Sequence, residues 1–518
     1  MKLKYLLIAL LALTFASCSE DLMDRINEDK ANPVGESVDG KFVIPGAVLS
    51  TAFNTISGNY AWYISSFTEQ EFGTGNNQLM RTELRIMSEY MATSCFNNEW
   101  NDTYSTLKSL KDVIDKCADG ASNAGQADLL GMAQTLTALD LGILTDLHGD
   151  IPYSQALQGD KNLQPELDSQ ENIYKDIFQL LDNAIANLQE GGSNVGESDI
   201  LFGGNCNKWL GLAYALKARY KLHTYFRDRN VLPEVIAAAN AAIAAGFDGA
   251  ELDVFNGVTA DNPWSAYWWS RFYTGSSTTV DNLMLERDDP REEVYNVKFY
   301  QQNVIGQPGD DAIARSTAGM NAPAWLNNGA QTIHVFSKSE LYFILAEAKA
   351  RLGQDASSDM ATAIEASIID YAVTDPGYST IGYFYPMSAE DIQKDEYAQA
   401  MGLSGDGKSI IASWTADYIA ALPVTLKEIM VQKYLAQTRD EQIEAYNDIR
   451  RCKALGEEHV KLTNPKNSGS TGNTWPLRLP YGSSDVTSNP NVSAAFGTGN
   501  DAGQYIFTEP VWWAGGSR

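Results

Sequence analysis

Residues 337–353 have the sequence S-K-S-E-L-Y-F-I-L-A-E-A-K-A-R-L-G and predict one helix with both of its ends defined. Ser337 and Glu340 form the S-x-x-E capping box that begins many helices, and Gly353 suits the left-handed residue that ends one. Apolar positions recur with helical spacing on two faces: Leu341, Ile344, Leu345, Ala348 and Leu352 on one, and Tyr342, Ala346 and Ala350 on the other. The small residues of the second face allow another helix to approach, so we expect this helix to be packed on two sides.

Similar helical periodicity recurs in pairs of segments along the chain. The residues after this helix repeat apolar side chains near the helical period until the turn sequence D-P-G at 375–377 interrupts the pattern. Four pairs are predicted, at residues 127–188, 206–247, 338–373 and 425–455, and insertions of unequal length separate them. We therefore predict an all-α fold of four helix pairs with long irregular loop insertions.

The composition excludes several classes of partner. The 518 residues contain 38 Lys and Arg against 66 Asp and Glu, which gives a net charge of -28 at pH 7. Such an acidic surface repels phosphate groups, so nucleic acid and anionic lipid headgroups are not expected partners. The 25 Tyr, 18 Phe and 11 Trp favour instead a ligand that packs on aromatic rings, such as a sugar or a peptide.

The N-terminus has the pattern of an export signal. Lys2 and Lys4 precede an apolar run that is too short to span a membrane, which predicts a signal peptide over residues 1–17. The run ends in F-A-S-C at 15–18 and resembles a bacterial lipobox, so we expect Cys18 to become the lipidated first residue. An ordinary signal peptide followed by an incidental cysteine is the alternative.

The rest of the chain is expected to divide into a tether and a domain. Residues 18–37 are polar and contain N-P and G, which predicts a flexible tether that reaches away from the lipid. Residues 38–518 are expected to form a single domain. No later segment is expected to have the length and apolarity of a membrane span.

The insertion at residues 262–275 carries more aromatic side chains than helix packing requires. Its sequence, N-P-W-S-A-Y-W-W-S-R-F-Y-T-G, holds six aromatic residues, and neither a strand period nor a helix period accounts for all of them. Residues 59–77 likewise mix aromatics with Gly and Asn, which is typical of a loop. We expect some of these rings to face solvent, and the candidate ligand-binding residues are Trp264, Trp268, Trp269, Tyr273 and Trp325, with Trp62 and Asn77 as outlying members.

Motifs for catalysis and metal binding are weak. Residues 402–409, G-L-S-G-D-G-K-S, match the phosphate-binding P-loop pattern, but no apolar strand precedes them and an exported protein meets little nucleotide triphosphate. The four histidines lie far apart in sequence, and carboxylates such as Glu69, Glu71, Asp288 and Asp289 are too abundant to identify a catalytic pair. We expect no cofactor. A structural calcium ion is compatible with this many acids, but the sequence assigns it no position.

The cysteines do not indicate a disulfide framework. After Cys18, the chain contains Cys95, Cys117, Cys206 and Cys452, which are widely spaced and form no C-x-x-C motif. A bridge between Cys95 and Cys117 stays open at this point.

Six short motifs, taken in their order along the chain, resemble the SusD/RagB-like family of outer-membrane lipoproteins. They follow the lipobox and are G-D-I-P-Y-S-Q-A-L at 149–157, D-P-R at 289–291, S-E-L-Y-F-I-L-A-E-A-K-A-R-L-G at 339–353, Q-K-Y-L-A at 432–436, A-Y-N-D-I-R-R at 445–451, and R-L-P-Y at 478–481 with N-P at 489–490. The resemblance covers nearly the whole mature chain. One departure is His148, which stands where the family usually has Tyr before Gly-Asp.

The resemblance implies a fold, a function and a partner. It implies four tetratricopeptide-like helix pairs with a loop-rich face, no catalytic activity, and capture of glycans at the exterior of the outer membrane. It also implies a SusC-like TonB-dependent transporter as partner, on which such a protein acts as a lid. The ligand-binding aromatics of the family vary too much to be transferred by position, so the candidate residues above rest on their own chemistry.

Three other functions stay open. Some members of the family capture peptides, so a peptide ligand is the main alternative to a glycan. A surface glycosidase would need only two suitably spaced carboxylates, which this chain can supply. A purely structural helical scaffold is the third, and it predicts that the aromatic side chains of the insertions are buried.

Overall fold

The computed structural model describes residues 38–74, 78–86, 88, 93–296, 304–310, 320–371, 415–470 and 472–518. The predicted lipidation site Cys18, the predicted ligand residue Asn77 and the P-loop-like residues 402–409 lie outside these ranges. The described chain is mainly helical, which confirms the predicted all-α class. A main core of apolar side chains includes residues from Ile44 to Ala514 and so spans most of the sequence.

The first helices are α1 (Ile44–Ser50), α2 (Asn59–Phe67), α3 (Gln78–Glu83) and α4 (Asn97–Lys116), and a π-helical turn at Thr51–Ile56 follows α1. Helix α2 corrects the prediction of a loop over residues 59–77. Tyr60, Ile64 and Phe67 recur at helical spacing and are fully buried. The apolar stripe therefore outweighs the turn-forming residues that suggested a loop.

The next helices are α5 (Ala127–His148), α6 (Gln170–Glu190), α7 (Cys206–His223) and α8 (Leu232–Ala244). Helices α5 and α6 pack together, as do α7 and α8, and α6 also packs on α7, which confirms the first two predicted pairs. Helix α5 is long and apolar enough to cross a membrane, contrary to expectation. Because 94% of its most apolar window is buried in the protein, it has the character of a core helix.

The middle of the chain contains α9 (Pro263–Arg271), α10 (Thr278–Leu285) and α11 (Glu292–Tyr295), together with short strands. Strand β1 (Glu71–Gly73) pairs antiparallel with β3 (Thr274–Ser276), and β2 (Ala250–Leu252) pairs antiparallel with β4 (Ile333–Phe336). Later in the chain, β5 (Ser468–Gly469) pairs with β6 (Gly472–Asn473). The β1–β3 pair joins two segments that are about 200 residues apart, and it places the N-terminal aromatic residues beside those of α9.

The remaining helices are α12 (Lys338–Arg351), α13 (Ser357–Ile369), α14 (Leu426–Ala436), α15 (Gln442–Leu455), α16 (Ser483–Ser488), α17 (Pro490–Phe496) and α18 (Tyr505–Thr508). Helices α12 and α13 form the third predicted pair. Helices α14 and α15 are both present, but α14 packs mainly on α12 and α13, whereas α15 packs mainly on α2. The helices of the fourth pair are thus confirmed, while a tetratricopeptide-like arrangement stays a prediction.

Helix α12 has the ends and the two packed faces that the sequence predicts. The Ser337 hydroxyl oxygen accepts a hydrogen bond from the Glu340 amide at 2.9 Å, and Gly353 has φ of +67°. Leu341 and Ile344 belong to the main core, whereas Phe343 and Ala346 belong to a second apolar cluster with residues of α13 and α14.

The capping box is only half formed, because the two groups of its second hydrogen bond have other partners. Glu340 pairs with Arg219 instead of bonding the Ser337 amide, and that amide donates to Glu441 at 2.8 Å. A charged pair inside the protein thus replaces the second bond of the box. The side chain of Glu340 is fixed against α7 rather than against its own helix end.

A buried ionic network joins α12, α14 and α15. The Glu347 carboxylate accepts hydrogen bonds from Arg451 at 2.7 Å and from Arg351 at 2.7 Å. Lys433 and Arg451 both pair with Asp448, at 2.7 and 2.6 Å. Burial alone would raise the pKa of Glu347, but Arg451 and Arg351 overcome that effect and hold it well below its usual range. Three of the six sequence motifs therefore supply the partners of one network.

The cysteines and the C-terminal segment complete the description. Among the described residues none of the four cysteines forms a disulfide, so the possible bridge between Cys95 and Cys117 is not formed. The segment after α15 contains the short helices α16 to α18. It ends with Trp513 buried, where its indole N–H donates to Asp146 at 2.7 Å.

Candidate functional site

Helices α2 and α9 bring aromatic side chains from two distant segments into one group. The rings of Trp62 and Tyr267 are stacked, with centroids 4.0 Å apart and an interplanar angle of 16°. Trp264 packs edge-on against Trp62 at 6.3 Å, and Tyr273 packs edge-on against Tyr267 at 6.1 Å. A second set of rings on the same helix, Trp268, Trp269 and Phe272, pack edge-on against one another. We call the two sets together the aromatic cluster, and its members are Trp62, Trp264, Tyr267, Trp268, Trp269, Phe272 and Tyr273.

Helix α9 corrects the expectation that residues 262–275 are irregular. The Asn262 side chain caps the helix by accepting from the Trp264 amide at 2.9 Å, and Pro263 occupies the first turn, where its missing N–H costs nothing. The N-P dipeptide that suggested a loop is therefore a helix start. Tyr267 and Phe272 are the two aromatic residues of this stretch that were not predicted as ligand-binding residues.

Three of the predicted ligand-binding rings are buried. Trp264, Trp268 and Trp325 expose only 1%, 3% and 2% of their surfaces, so these three candidates are not among the rings that face solvent. Trp264 and Trp268 are four residues apart in α9 and point together into the core. Trp325 lies in a turn before β4 and packs edge-on against Tyr371 at 4.9 Å. These three rings are therefore packed inside the protein.

Trp269 is the predicted residue with the most accessible ring. It is 51% exposed and lies on the outer face of α9, with its edge against Trp268 at 5.1 Å and Phe272 at 5.7 Å. Tyr273 and Trp62 are half-buried. Arg271 is exposed at the end of the same helix, where it adds a positive charge near Tyr267. The accessible part of the aromatic cluster is therefore one open indole flanked by partly open rings.

The backbone after α9 is strained and is held by β1. Phe272 has φ of +53°, a left-handed conformation that a bulky residue rarely adopts. Its carbonyl accepts from the Thr74 hydroxyl, and the Thr74 amide donates to the carbonyl of Tyr273 at 2.8 Å. Strain of this kind persists only where the surroundings fix it, and such positions cluster at ligand-binding sites. Here it sets the direction in which Tyr273 leaves the helix.

A buried carboxylate lies beside the aromatic cluster. Glu71 is 1% exposed, and its Oε2 atom accepts from the Thr274 hydroxyl across the β1–β3 pair. Burial raises the pKa of Glu71 to about 8, so the side chain is mostly protonated at neutral pH. The Oε1 atom of Glu71 and the indole N–H groups of Trp62 and Trp264 have no hydrogen-bond partner within the described chain. A buried polar group without a partner costs about 1–3 kcal/mol.

Glu69 positions this carboxylate without belonging to the surface. It also has a left-handed backbone, with φ of +60°, and its carboxylate accepts from the amides of Thr463 and Asn464 at 2.7 and 2.8 Å. A third bond, 2.6 Å long, comes from the Thr279 hydroxyl. These bonds fix the end of α2 to the segment after α15. The sequence offered no signal for either acid, because Glu69 and Glu71 are two among 66 acidic residues.

A second concave surface runs along α4. It is a groove of 580 Å³ whose lining includes Trp100, Tyr104, Asn101, Leu157 and Leu163. The Trp100 ring is buried, and its indole N–H donates to Asp485 at 2.9 Å. Only Leu163 presents a large exposed apolar surface there. The groove lacks an open aromatic face, so the aromatic cluster is the better candidate for stacking on a ligand.

Comparison with known families and structures places this chain in a defined group. Residues 44–482 match the SusD-like family described as "Starch-binding associating with outer membrane". A SusD/RagB family protein from Bacteroides thetaiotaomicron is 33% identical, with a TM-score of 0.78, and the match covers 93% of this chain and all of that one. None of the curated proteins compared with the chain matches it.

More distant structures share the fold. A chitin-binding protein is 20% identical with a TM-score of 0.66, and the match covers 92% of this chain and 99% of that one. A chitin-binding SusD homolog from Flavobacterium johnsoniae is 17% identical with a TM-score of 0.63, and the match covers 91% and 98% of the two chains. At these identities the likeness concerns the architecture alone.

Proposed function

The chain belongs to the SusD/RagB family of proteins associated with the outer membrane, and we propose that it captures oligosaccharides at the cell surface. The family is described by starch binding and not by catalysis, which confirms the expectation that the chain has no catalytic activity and argues against the glycosidase alternative. This function has three parts: the ligand, its binding site on the domain, and its delivery for uptake.

The observation that carries the proposal is the open indole of Trp269 at the edge of the aromatic cluster. A flat apolar ring that is 51% exposed in a chain of net charge -28 suits a neutral, ring-shaped ligand. Stacking of one sugar ring on Trp269 is worth about 1 kcal/mol.

The nature of two relatives favours a glycan over a peptide. Both are named as chitin-binding and share the architecture of this chain. A peptide ligand would gain most from charged partners or from an open strand edge, whereas the accessible part of the cluster is an aromatic ring. Peptide capture stays the alternative, and the experiment below distinguishes the two.

We further propose that capture serves uptake. A lipid on Cys18 would hold the domain at the exterior face of the outer membrane, and a SusC-like TonB-dependent transporter would be its partner, with this protein as the lid. Modest affinity suffices in such an arrangement, because tethering beside the transporter raises the local concentration of bound glycan. Neither a cofactor nor a calcium ion is needed for this function.

The first test is affinity electrophoresis of the purified protein through gels that contain a panel of polysaccharides. We expect at least one neutral polysaccharide to retard migration, and no reducing sugar to be released from it on incubation. Retardation by none of the glycans, together with binding to an oligopeptide library, would replace the glycan with a peptide. Release of reducing sugar by protein free of contaminating enzymes would contradict both proposals.

A further inference from the structure

Three side chains with metal-binding chemistry converge at the end of α15. A sulfur of Cys452, a carboxylate oxygen of Glu457 and a ring nitrogen of His459 all lie within 4.8 Å of one another. The local sequence explains the convergence. Gly456 has φ of +76° and ends the helix, and the turn brings the Glu457 amide back to donate to the Cys452 carbonyl at 2.9 Å.

A small cavity adjoins these three side chains. Its volume is 30 Å³, and its lining includes Cys452, Glu457 and His459 together with Met430 and Asp448. That volume is about the share of one molecule in liquid water, so the cavity has room for one small species and not for an organic ligand. The position of this cavity is a second observation, separate from the short distances between the three donor atoms.

We propose that Cys452, Glu457 and His459 bind one Zn²⁺ ion. One sulfur, one nitrogen and one oxygen donor form a set of intermediate softness, which Zn²⁺ accepts readily and which Ca²⁺ and Mg²⁺ disfavour. Three protein ligands leave a fourth position for water, which the cavity can hold. The helix C-terminus also favours a cation, because its carbonyl groups carry partial negative charge.

The donors can reach metal-binding distances by small side-chain rotations. In a tetrahedral Zn²⁺ site, neighbouring ligand atoms lie roughly 3.4–3.6 Å apart. The His459 Nε2 atom and a Glu457 oxygen are already 3.0 Å apart, so the adjustment falls mainly on the approach to Cys452. Glu457 and His459 lie beyond the end of α15 with side chains 28% and 15% exposed, so a turn of either side chain toward the thiol does not disturb the helix.

Two cationic side chains oppose the ion: Lys453 lines the same cavity, and Arg351 is in direct contact with the donors. The Arg351 guanidinium donates to both oxygens of Glu457 at 2.9 Å and lies 4.0 Å from the Cys452 sulfur. It also donates to Glu347 at 2.7 Å, so it keeps one buried carboxylate partner when Glu457 turns to the metal. A thiolate and a carboxylate together balance the charge of Zn²⁺, which limits its repulsion of Arg351.

A second group of suitable residues does not support a site. Asp146, His223 and Glu444 also lie close together, but all three are fully buried, and both ring nitrogens of His223 are already paired with the two carboxylates. A metal ion could bind there only by displacing the imidazole proton of His223 that bonds the carboxylates. The group at the end of α15 differs in having a cavity and an approach from solvent.

The test is metal binding by the purified protein, kept reduced. Equilibrium dialysis should give one equivalent of bound Zn²⁺, and Co²⁺ in its place should give a thiolate-to-cobalt absorption band. Cys452→Ser should abolish that band, and His459→Asn should weaken Zn²⁺ binding by at least the ~10–100-fold that loss of an outer-shell partner costs. Cys117→Ser, which alters a buried thiol elsewhere, is the matched control and should change neither result.

Two outcomes would overturn the proposal. One is the absence of saturable Zn²⁺ uptake by the unmodified protein, and the other is equal uptake by both ligand variants. If Cys452→Ser fails to fold, as judged by circular dichroism, His459→Asn decides the question, because His459 lies in the turn after the helix and can be changed without disturbing the core.

Discussion

Replacing Glu347 with glutamine should lower the free energy of unfolding by about 3–5 kcal/mol, which is the cost of removing one partner from a buried ion pair. Glu347 is fully buried and accepts hydrogen bonds from Arg351 and Arg451, while Lys433 lies 3.8 Å away. The variant keeps the size of the side chain but removes its negative charge. Arg351, Arg451 and Lys433 then have only Asp448 and Glu457 as acidic partners in the network. Denaturant unfolding of the two proteins, followed by circular dichroism, measures the difference.

The matched control is an exposed acid on a helix surface. Asp115 pairs with Lys111 at 2.7 Å with its side chain 59% exposed, so Asp115→Asn should change the free energy of unfolding by no more than about 0.5 kcal/mol. Equal small effects for the two variants would show that the network at α12 does not hold these helices together. The three sequence motifs that supply the network would then need another physical reason.

The second large effect concerns pH and the buried imidazole of His223. Its ring nitrogens lie 3.1 Å from Asp146 and 2.9 Å from Glu444. Burial alone would lower the pKa of His223, but Glu444 and Asp146 raise it from 6.5 to about 9. Because the folded pKa is above the unfolded one, the stabilisation is complete below about pH 6.5 and is lost as the pH rises through about 9, by roughly 3 kcal/mol in all.

The comparison with His223→Gln isolates this contribution. Other buried groups, among them Asp140 and Glu71 with pKa values of about 8, titrate over the same range in both proteins and cancel in the difference. The stability advantage of the unmodified protein over the variant should therefore shrink between about pH 6 and about pH 10. A difference that stays constant over this range would mean that His223 is neutral in the folded protein.

The sequence predicted the helices well because their signals are local. The cap at Ser337, the left-handed Gly353 and the two-faced body of α12 depend only on residues within the helix and its ends. The unformed half of the capping box could not be foreseen, because Glu340 pairs with Arg219, which lies 121 residues away. The capping-box rule predicts both hydrogen bonds only when no residue from a distant part of the chain bonds the same side chain.

The candidate site was predicted in part, and the failures have a common cause. The stretch at 262–275 was recognised as unusual, yet its Asn-Pro start belongs to a short helix, and that helix turns Trp264 and Trp268 inward while Trp269 faces out. The choice between the two faces depends on the position of the core, which the local pattern does not contain. Glu71 could not be selected as a site residue for the same reason, because it is buried beside the rings only when β1 pairs with β3.

The most direct test of glycan capture at the aromatic cluster is calorimetric titration of an oligosaccharide from a retarding polysaccharide into the unmodified protein and into Trp269→Ala. The control is Phe42→Ala, which removes a more exposed aromatic ring, 62% accessible against 51% for Trp269, from the N-terminal side of α1. We expect Trp269→Ala to weaken binding about 10-fold, equivalent to about 1.4 kcal/mol, and Phe42→Ala to leave it unchanged. Unchanged affinity in Trp269→Ala, with the fold intact, would contradict the assignment of the site to this cluster.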